Sequence, residues 1–196
     1  MKKLILLLAT ALFLTACGGA GTSTGSNGTA PKTETASSKL TAKVGEKDYS
    51  FEIKDALIWN SSNDGLDEAH KNMKAPNHSI ILGNYDFGGE PARTVPEGKY
   101  KVVVGITGDW IAKDAEIVVK PGVYATGKNG PMTVANNNIV FIENGKEVQN
   151  YKTYGFSGEV KITSVEGETV KGEIDIKTDT QQTKGSFTAK IYKPKM

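Results

Sequence analysis

A second cysteine is missing from this chain. Its one thiol in 196 residues, Cys17, closes an apolar run near the amino terminus, so no intrachain disulfide can form and the fold must hold by packing alone. Histidine is almost as scarce, with only His70 and His78. Zinc and copper centres draw on convergent histidine, cysteine and carboxylate ligands. These two positions fit neither a helical i, i+4 pair nor one face of one strand, so no metal site and no cofactor is expected. A surplus of either charge is also absent. Without Lys2 and Lys3, the basic side chains balance the 22 acidic ones. Neither sign runs in a block, which excludes the basic footprint that nucleic-acid binding requires. Finally, no apolar run reaches the length of about 20 residues that spans a bilayer as a helix.

The amino terminus does carry a pattern. Lys2 and Lys3 precede an apolar stretch from Leu4 to Leu14, broken only by Thr10, and Leu14-Thr15-Ala16-Cys17 follows at its end. This charge, apolar core and small-residue arrangement is that of an export signal. The "LTAC" stretch resembles the lipobox of bacterial lipoproteins. That resemblance implies a signal peptide over 1–16, a diacylglyceryl group on the Cys17 sulfur, cleavage before Cys17 and acylation of the new terminus. Gly18 stands where an aspartate would imply retention at an inner membrane. The expected address is therefore the bacterial cell envelope: the outer membrane where the organism has one, otherwise the outer face of the cell membrane. Two or three acyl chains give the stable anchoring that one chain does not.

The lipidated cysteine and a tether occupy 17–38. "GGAGTSTGSNGTAPKTETASS" has almost no apolar bulk and cannot bury enough surface to fold. As a flexible coil it spans roughly 25 Å. Gly21-Thr22-Ser23-Thr24-Gly25 matches the G-x-S-x-G nucleophile elbow, but that motif needs a strand before it and a helix after it. This composition supplies neither.

Residues 39–196 form one domain, long enough to bury roughly 70% of its unfolded surface. Alternation of period two marks strands with one buried face. It is clear at Tyr49, Phe51 and Ile53; at Tyr100, Val102, Val104 and Ile106; at Ile117 and Val119; at Val160 and Ile162; at Val170, Ile174 and Ile176; and at Phe187, Ala189 and Ile191. Turn signals separate the runs: "VGEKDY", "ENGK" with its Asn144-Gly145 pair, "SVEGETV" and "TDTQQTKG". The expected fold is all-β, a single antiparallel β-sandwich of roughly nine or ten strands, with a calycin-like β-barrel as the alternative. The closing region, from "GEVKITSVEGETVKGEIDIK" onward, is similar to the terminal strands of β-sandwich domains in bacterial lipoproteins. One short helix is expected over Asp67–Lys74, inside a long polar insertion from Asn60 to His78.

No constellation points to catalysis. Asn60, Ser62, Asp64 and Gly65 imitate the start of an EF-hand loop, but Lys71 occupies the position of the bidentate glutamate. A non-EF oxygen site would have to use Asp64, Asp67 and Glu68. The acids elsewhere alternate with lysines, as in Glu159, Lys161, Glu173 and Lys177, the pattern of a solvated sheet face. "GFSGE" at 155–159 lacks the setting of a nucleophile. Trp59 and Trp110 read as core residues. The remaining handle is the irregular sequence at 60–78, 85–98 and 121–137, because recognition is commonly built on loops over a rigid scaffold. Asp64, His70, Tyr85, Phe87 and Tyr124 are the expected ligand contacts, the aromatics for area and Asp64 or His70 for orientation. The functional expectation is a membrane-anchored envelope binding or interaction module, not an enzyme, with an envelope protein or glycan as partner. An envelope enzyme acting on glycan or peptide and a lipid-binding barrel are the alternatives.

A chain with Cys17→Ala is expected to lose acylation and to stay uncleaved by the lipoprotein peptidase. Wild-type protein recovered in the aqueous phase of a detergent partition, without diacylglyceryl mass, would contradict the lipobox reading.

Overall fold

In the hairpin formed by Ser157–Glu166 and Thr169–Lys177 each strand buries every second residue, Val160 and Ile162 against Val170, Ile174 and Ile176, while Glu159, Lys161, Lys171 and Glu173 face water. A computed structural model of the chain describes residues 38–91, 94–127, 132–143, 146–152 and 155–194. Cys17, the signal-peptide and tether segments, the G-x-S-x-G match and the Asn144-Gly145 turn lie outside the described residues. Among the described residues there are twelve strands: β1 (Lys39–Val44), β2 (Lys47–Glu52), β3 (Asp55–Asp64), β4 (Met73–Gly83), β5 (Tyr100–Thr107), β6 (Ile111–Ala112), β7 (Gly122–Ala125), β8 (Thr133–Glu143), β9 (Lys146–Lys152), β10 (Ser157–Glu166), β11 (Thr169–Lys177) and β12 (Gln181–Ile191). Among the described residues there is no helix.

The sheet closes on itself. Going round, β3, β4, β5, β8, β7, β10, β11 and β12 form a ring, and β12 returns to β3. The β-sandwich expected from the alternation is therefore replaced by an eight-stranded closed barrel. The pattern of buried faces is the same in both architectures. The difference lies in two parallel joints that carry few pairs: Lys190↔Leu57 and Ile191↔Ile58 between β12 and β3, and Ala125↔Thr133 between β7 and β8. Every other junction is antiparallel. Three elements add to the ring: the β1–β2 hairpin on β12, β6 on β4, and β9 on β8.

An eight-stranded barrel has an interior just wide enough for side chains to fill. Here Ile58, Ile80, Leu82, Val102, Val104, Ile139, Ile174 and Phe187 fill it. A second apolar cluster lies on the other face of β3, β4, β5 and β8. It contains Leu57, Ile81 and Val140, covered by Tyr85, Phe87 and Val95 from the segment between β4 and β5. Burial on both faces explains why "DALIW", "SIILG" and "KVVVGI" read as continuous apolar runs. The covering segment is tied down by polar bonds. Asp55 Oδ2 accepts the Phe87 N–H at 2.8 Å, Asn84 Oδ1 accepts the Tyr100 N–H at 2.9 Å, and the Gly98 N–H donates to the Ile142 carbonyl at 2.9 Å. The Phe87 ring lies on Gly83, where a Cβ would sit 2.6 Å from ring carbons, so only glycine admits it. On the opposite face, Tyr49 and Phe51 of β2 pack on Tyr100, with ring centroids 5.3 and 5.5 Å away.

The expected helix over Asp67–Lys74 does not form, and the 60–78 segment is not a loop. β3 and β4 run on as one antiparallel ladder to Asp64↔Lys74. Only residues 65–72 remain for the connection, and they turn instead of coiling. The His70 N–H donates to Asp67 and the Met73 N–H to His70, while Gly65 packs so closely that a Cβ would lie 2.0 Å from the His70 carbonyl oxygen. Ser61, Ser62, Asn63 and Asp64 are all exposed, so this part of the strand carries no apolar alternation to read. Residues 117–119 pair with no strand, although Val119 is buried in the core. Much of 121–137 is β7 and the start of β8.

Phe87→Ala is expected to cost about 3–5 kcal/mol in urea unfolding, the range for a buried phenylalanine truncated to alanine. A loss under about 0.5 kcal/mol, the scale of a surface substitution, would mean that the 84–99 segment is not packed on the barrel.

Candidate ligand cleft

One end of the barrel gathers three segments that the sequence separates: the β3–β4 turn, residues 108–121, and the start of β8. β6 anchors the middle segment by pairing with the first residues of β4, Met73↔Ala112 and Lys74↔Ile111. At this end Asp67 accepts from His70 Nδ1 at 2.8 and 2.9 Å. That side-chain bond is the largest cause holding the Asp67 carboxyl below its ordinary range. One face of the His70 ring is covered as well, since the His70 and Trp110 rings stack with centroids 4.3 Å apart and planes 21° from parallel. Lys113 reaches Asp64 at 3.8 Å, and Lys71 reaches Glu68 at 2.9 Å. Leu66, at the turn, is 98% exposed.

Beside this stack is a cleft of about 210 Å³. Pro76, Gly108 and Tyr124 form its buried floor, and Ile111, Ala115, Val118 and Met132 its apolar walls. Asp109, Glu116 and Lys120 stand at the exposed edge. The Tyr124 O–H donates to the Lys120 carbonyl at 3.0 Å, and burial above all raises its pKa. Met132 adopts φ 56°, the one non-glycine residue in the left-handed region among the described residues. Such strain persists only where the surroundings impose it. Its side chain covers Gly122, where a Cβ would lie 2.6 Å from the Met132 methyl carbon.

His78 stands behind the floor. It is 1% exposed, on the inward face of β4, and its Nε2 lies 3.9 Å from where a Cβ on Gly108 would be. Asn60 fixes its proton. Asn60 Nδ2 donates to the Ile117 carbonyl at 3.5 Å, which turns Oδ1 toward His78 Nδ1 at 2.8 Å. The Nδ1–H is then the donor, and Nε2 is left as a lone-pair acceptor. Burial lowers the His78 pKa from 6.5 to about 4, so the ring is neutral near pH 7.

The expected contacts divide between two regions. Asp64, His70 and Tyr124 come together at this end, Tyr124 as floor. Tyr85 and Phe87 lie beyond the other end of β4, buried against each other edge to face at 5.1 Å, where they pack on the barrel wall. Asp64, Asp67 and Glu68 each face a separate cationic or histidine partner, and among the described residues no three His, Cys, Asp or Glu side chains gather closely enough to hold a metal. Ser157 of "GFSGE" starts a strand and bonds the Lys177 carbonyl at 3.5 Å. Trp59, expected in the core, is 51% exposed on β3. The cleft residues Asp109 and Glu116, and Leu66 at the turn, are not singled out by the sequence as contacts, and Trp110, read as core, is half-buried against His70 instead. The one signal for the 108–121 segment is the halt of apolar alternation after Ile106 at "TGDW".

Two other surface depressions have a different character. One, of about 290 Å³, lies over the outer faces of β10, β11 and β12 among Glu159, Lys161, Glu173, Asp175 and Lys184; Lys184 and Asp175 are already paired at 2.7 Å. The other, of about 220 Å³, follows the β1–β2 hairpin past Lys43 and Asp48. Comparison with protein-family models, curated proteins and solved structures gives no match to the chain.

The buried His78 makes stability depend on pH. Its folded pKa lies below its unfolded one, so the unfolded chain takes up the proton first. The contribution is fully present above pH 6.5 and is lost as pH falls toward 4, by at most about 3 kcal/mol. Urea titrations of wild type and His78→Gln at several pH values check this. The wild type is expected to lose more stability than the variant across that window, and parallel curves would contradict it.

Proposed function

We propose that this chain is a bacterial envelope lipoprotein, acylated at Cys17 and held off its membrane by the 18–38 tether, whose barrel is a binding module rather than an enzyme. Its address is the outer membrane where the organism has one, otherwise the outer face of the cell membrane. The binding end is the one that carries Leu66, the His70–Trp110 stack and the cleft. The observation that carries this reading is the presentation of apolar groups at this end: an apolar cleft with Val118, 44% exposed, in its wall, and Leu66, 98% exposed at the β3–β4 turn. Exposed apolar groups that cluster at one place are a mark of interaction surfaces.

Carriage of a lipid inside the barrel is less favoured, because Ile58, Ile80, Leu82, Ile174 and Phe187 occupy the interior. A binding role also fits the polar groups at this end. Asp64, Asp67 and Glu68 are each engaged with a neighbouring side chain, which orders the turn. An envelope protein or glycan is the partner class.

A chain with Leu66→Ser and Trp110→Ala is expected to capture envelope partners about tenfold less well than wild type, the scale of losing an aromatic anchor at an interface. Its melting temperature should stay nearly unchanged. Trp59→Ala, on the barrel wall, serves as the control and should capture normally. Equal capture by the double variant and the wild type would overturn the assignment of this end.

A further inference from the structure

The cleft is rich in acceptors and poor in donors. The Tyr124 hydroxyl is committed to the Lys120 carbonyl, and the His78 Nδ1–H to Asn60. What remains for an incoming group in the cleft is the carboxylates of Asp109 and Glu116. Among the described residues neither carboxylate has a cation within 4.0 Å, in contrast to Asp64 and Glu68. Lys193, which approaches Glu116, is held at 2.6 Å by Glu168. Among the residues that line the cleft Lys120 is the one opposing charge, and it is exposed on a flexible stem that can swing out.

We propose that this cleft takes a cationic, donor-rich group on a short apolar stem, the side chain of an arginine or lysine from a partner polypeptide. The stem lies along Ile111, Val118 and Met132, and the charged head meets Asp109 and Glu116. This rests on the reading of this end as the binding end and adds the ligand class. A guanidinium suits two separated carboxylates better than an ammonium, because its five donors are fixed in a planar fork. An anionic ligand would depend on Lys120 instead and be repelled by both carboxylates.

The test is a titration of the full-length ¹⁵N-labelled chain in detergent micelles with N-acetyl-arginine amide, N-acetyl-lysine amide and the neutral isostere N-acetyl-citrulline amide. Chemical shifts of the Gly108 amide and the Trp110 indole are the readout. Saturable shifts with arginine amide are expected, with citrulline amide binding about tenfold more weakly, the size of a charge-assisted hydrogen bond lost. Lysine amide should fall between them. Exchanging both exposed carboxylates, Asp109→Asn with Glu116→Gln, should remove the preference. Lys120→Gln should strengthen arginine binding. Equal affinity for arginine and citrulline amides, retention of the preference in the carboxylate variant, loss of binding in Lys120→Gln, or no shift with any probe would each overturn the proposal. If the arginine preference fails while the Leu66/Trp110 variant still loses capture, the ligand class alone is rejected. If capture is indifferent to that variant, the wider assignment of this end is rejected whatever arginine does.

Discussion

Ring closure depends on two short parallel contacts. At one, β12 leaves β1 and meets β3 through Lys190 and Ile191, and the Tyr192 N–H continues the contact by donating to the Ile58 carbonyl at 2.8 Å. At the other, β7 meets β8 at Ala125↔Thr133. The Ala125 N–H donates to Met132 at 3.0 Å and the Thr133 hydroxyl to Ala125 at 3.1 Å. Without these joints the remaining ladders would form two open sheets. With them, the inward faces of both halves share one core. The second joint also sets Met132 in its left-handed conformation at the wall of the cleft. The feature that closes the barrel therefore shapes the candidate site.

The interior is not uniformly apolar. Apolar side chains form its centre, while His78 with Asn60, and Asn137 with Thr183 at 3.0 Å, are polar pairs within it. Buried polar groups are tolerated when each finds a partner. Two groups are exceptions among the described residues: both atoms of the Gln181 carboxamide, at 2% exposure, and the buried Asn138 Oδ1 lack a partner. A group left so costs about 1–3 kcal/mol. The His78–Asn60 pair differs in consequence, because it is tied to the 108–121 segment through Ile117. It thereby couples the barrel wall to the cleft floor.

Much of the β-structure was legible because the last three strands alternate cleanly: Val160 to Ile162, Val170 to Ile176 and Phe187 to Ala189 each bury one face. Closure was not, since three residue pairs decide between a barrel and a sandwich and no periodicity records them. Polar Asn60 to Asp64 read as loop because alternation reports burial rather than pairing, and these residues pair while exposed. Tyr85 and Phe87 read as surface aromatics because they lie in an irregular stretch. Their burial follows from an outward apolar face on β3, β4 and β5 that needs covering, as the continuous runs there imply. Asp64, His70 and Tyr124, chosen from the sequence, lie at the cleft end. Asp109 and Glu116 could not be chosen so, because their place there depends on β6 pinning the 108–121 segment to β4.

Backbone amide exchange at Tyr192 tests the closed ring most directly, since its N–H reaches across the joint to Ile58. In a closed barrel this amide is expected to exchange only through global unfolding, as slowly as the most protected amides of β5. Exchange as fast as that of the 65–72 turn would contradict closure and return the chain to two open sheets.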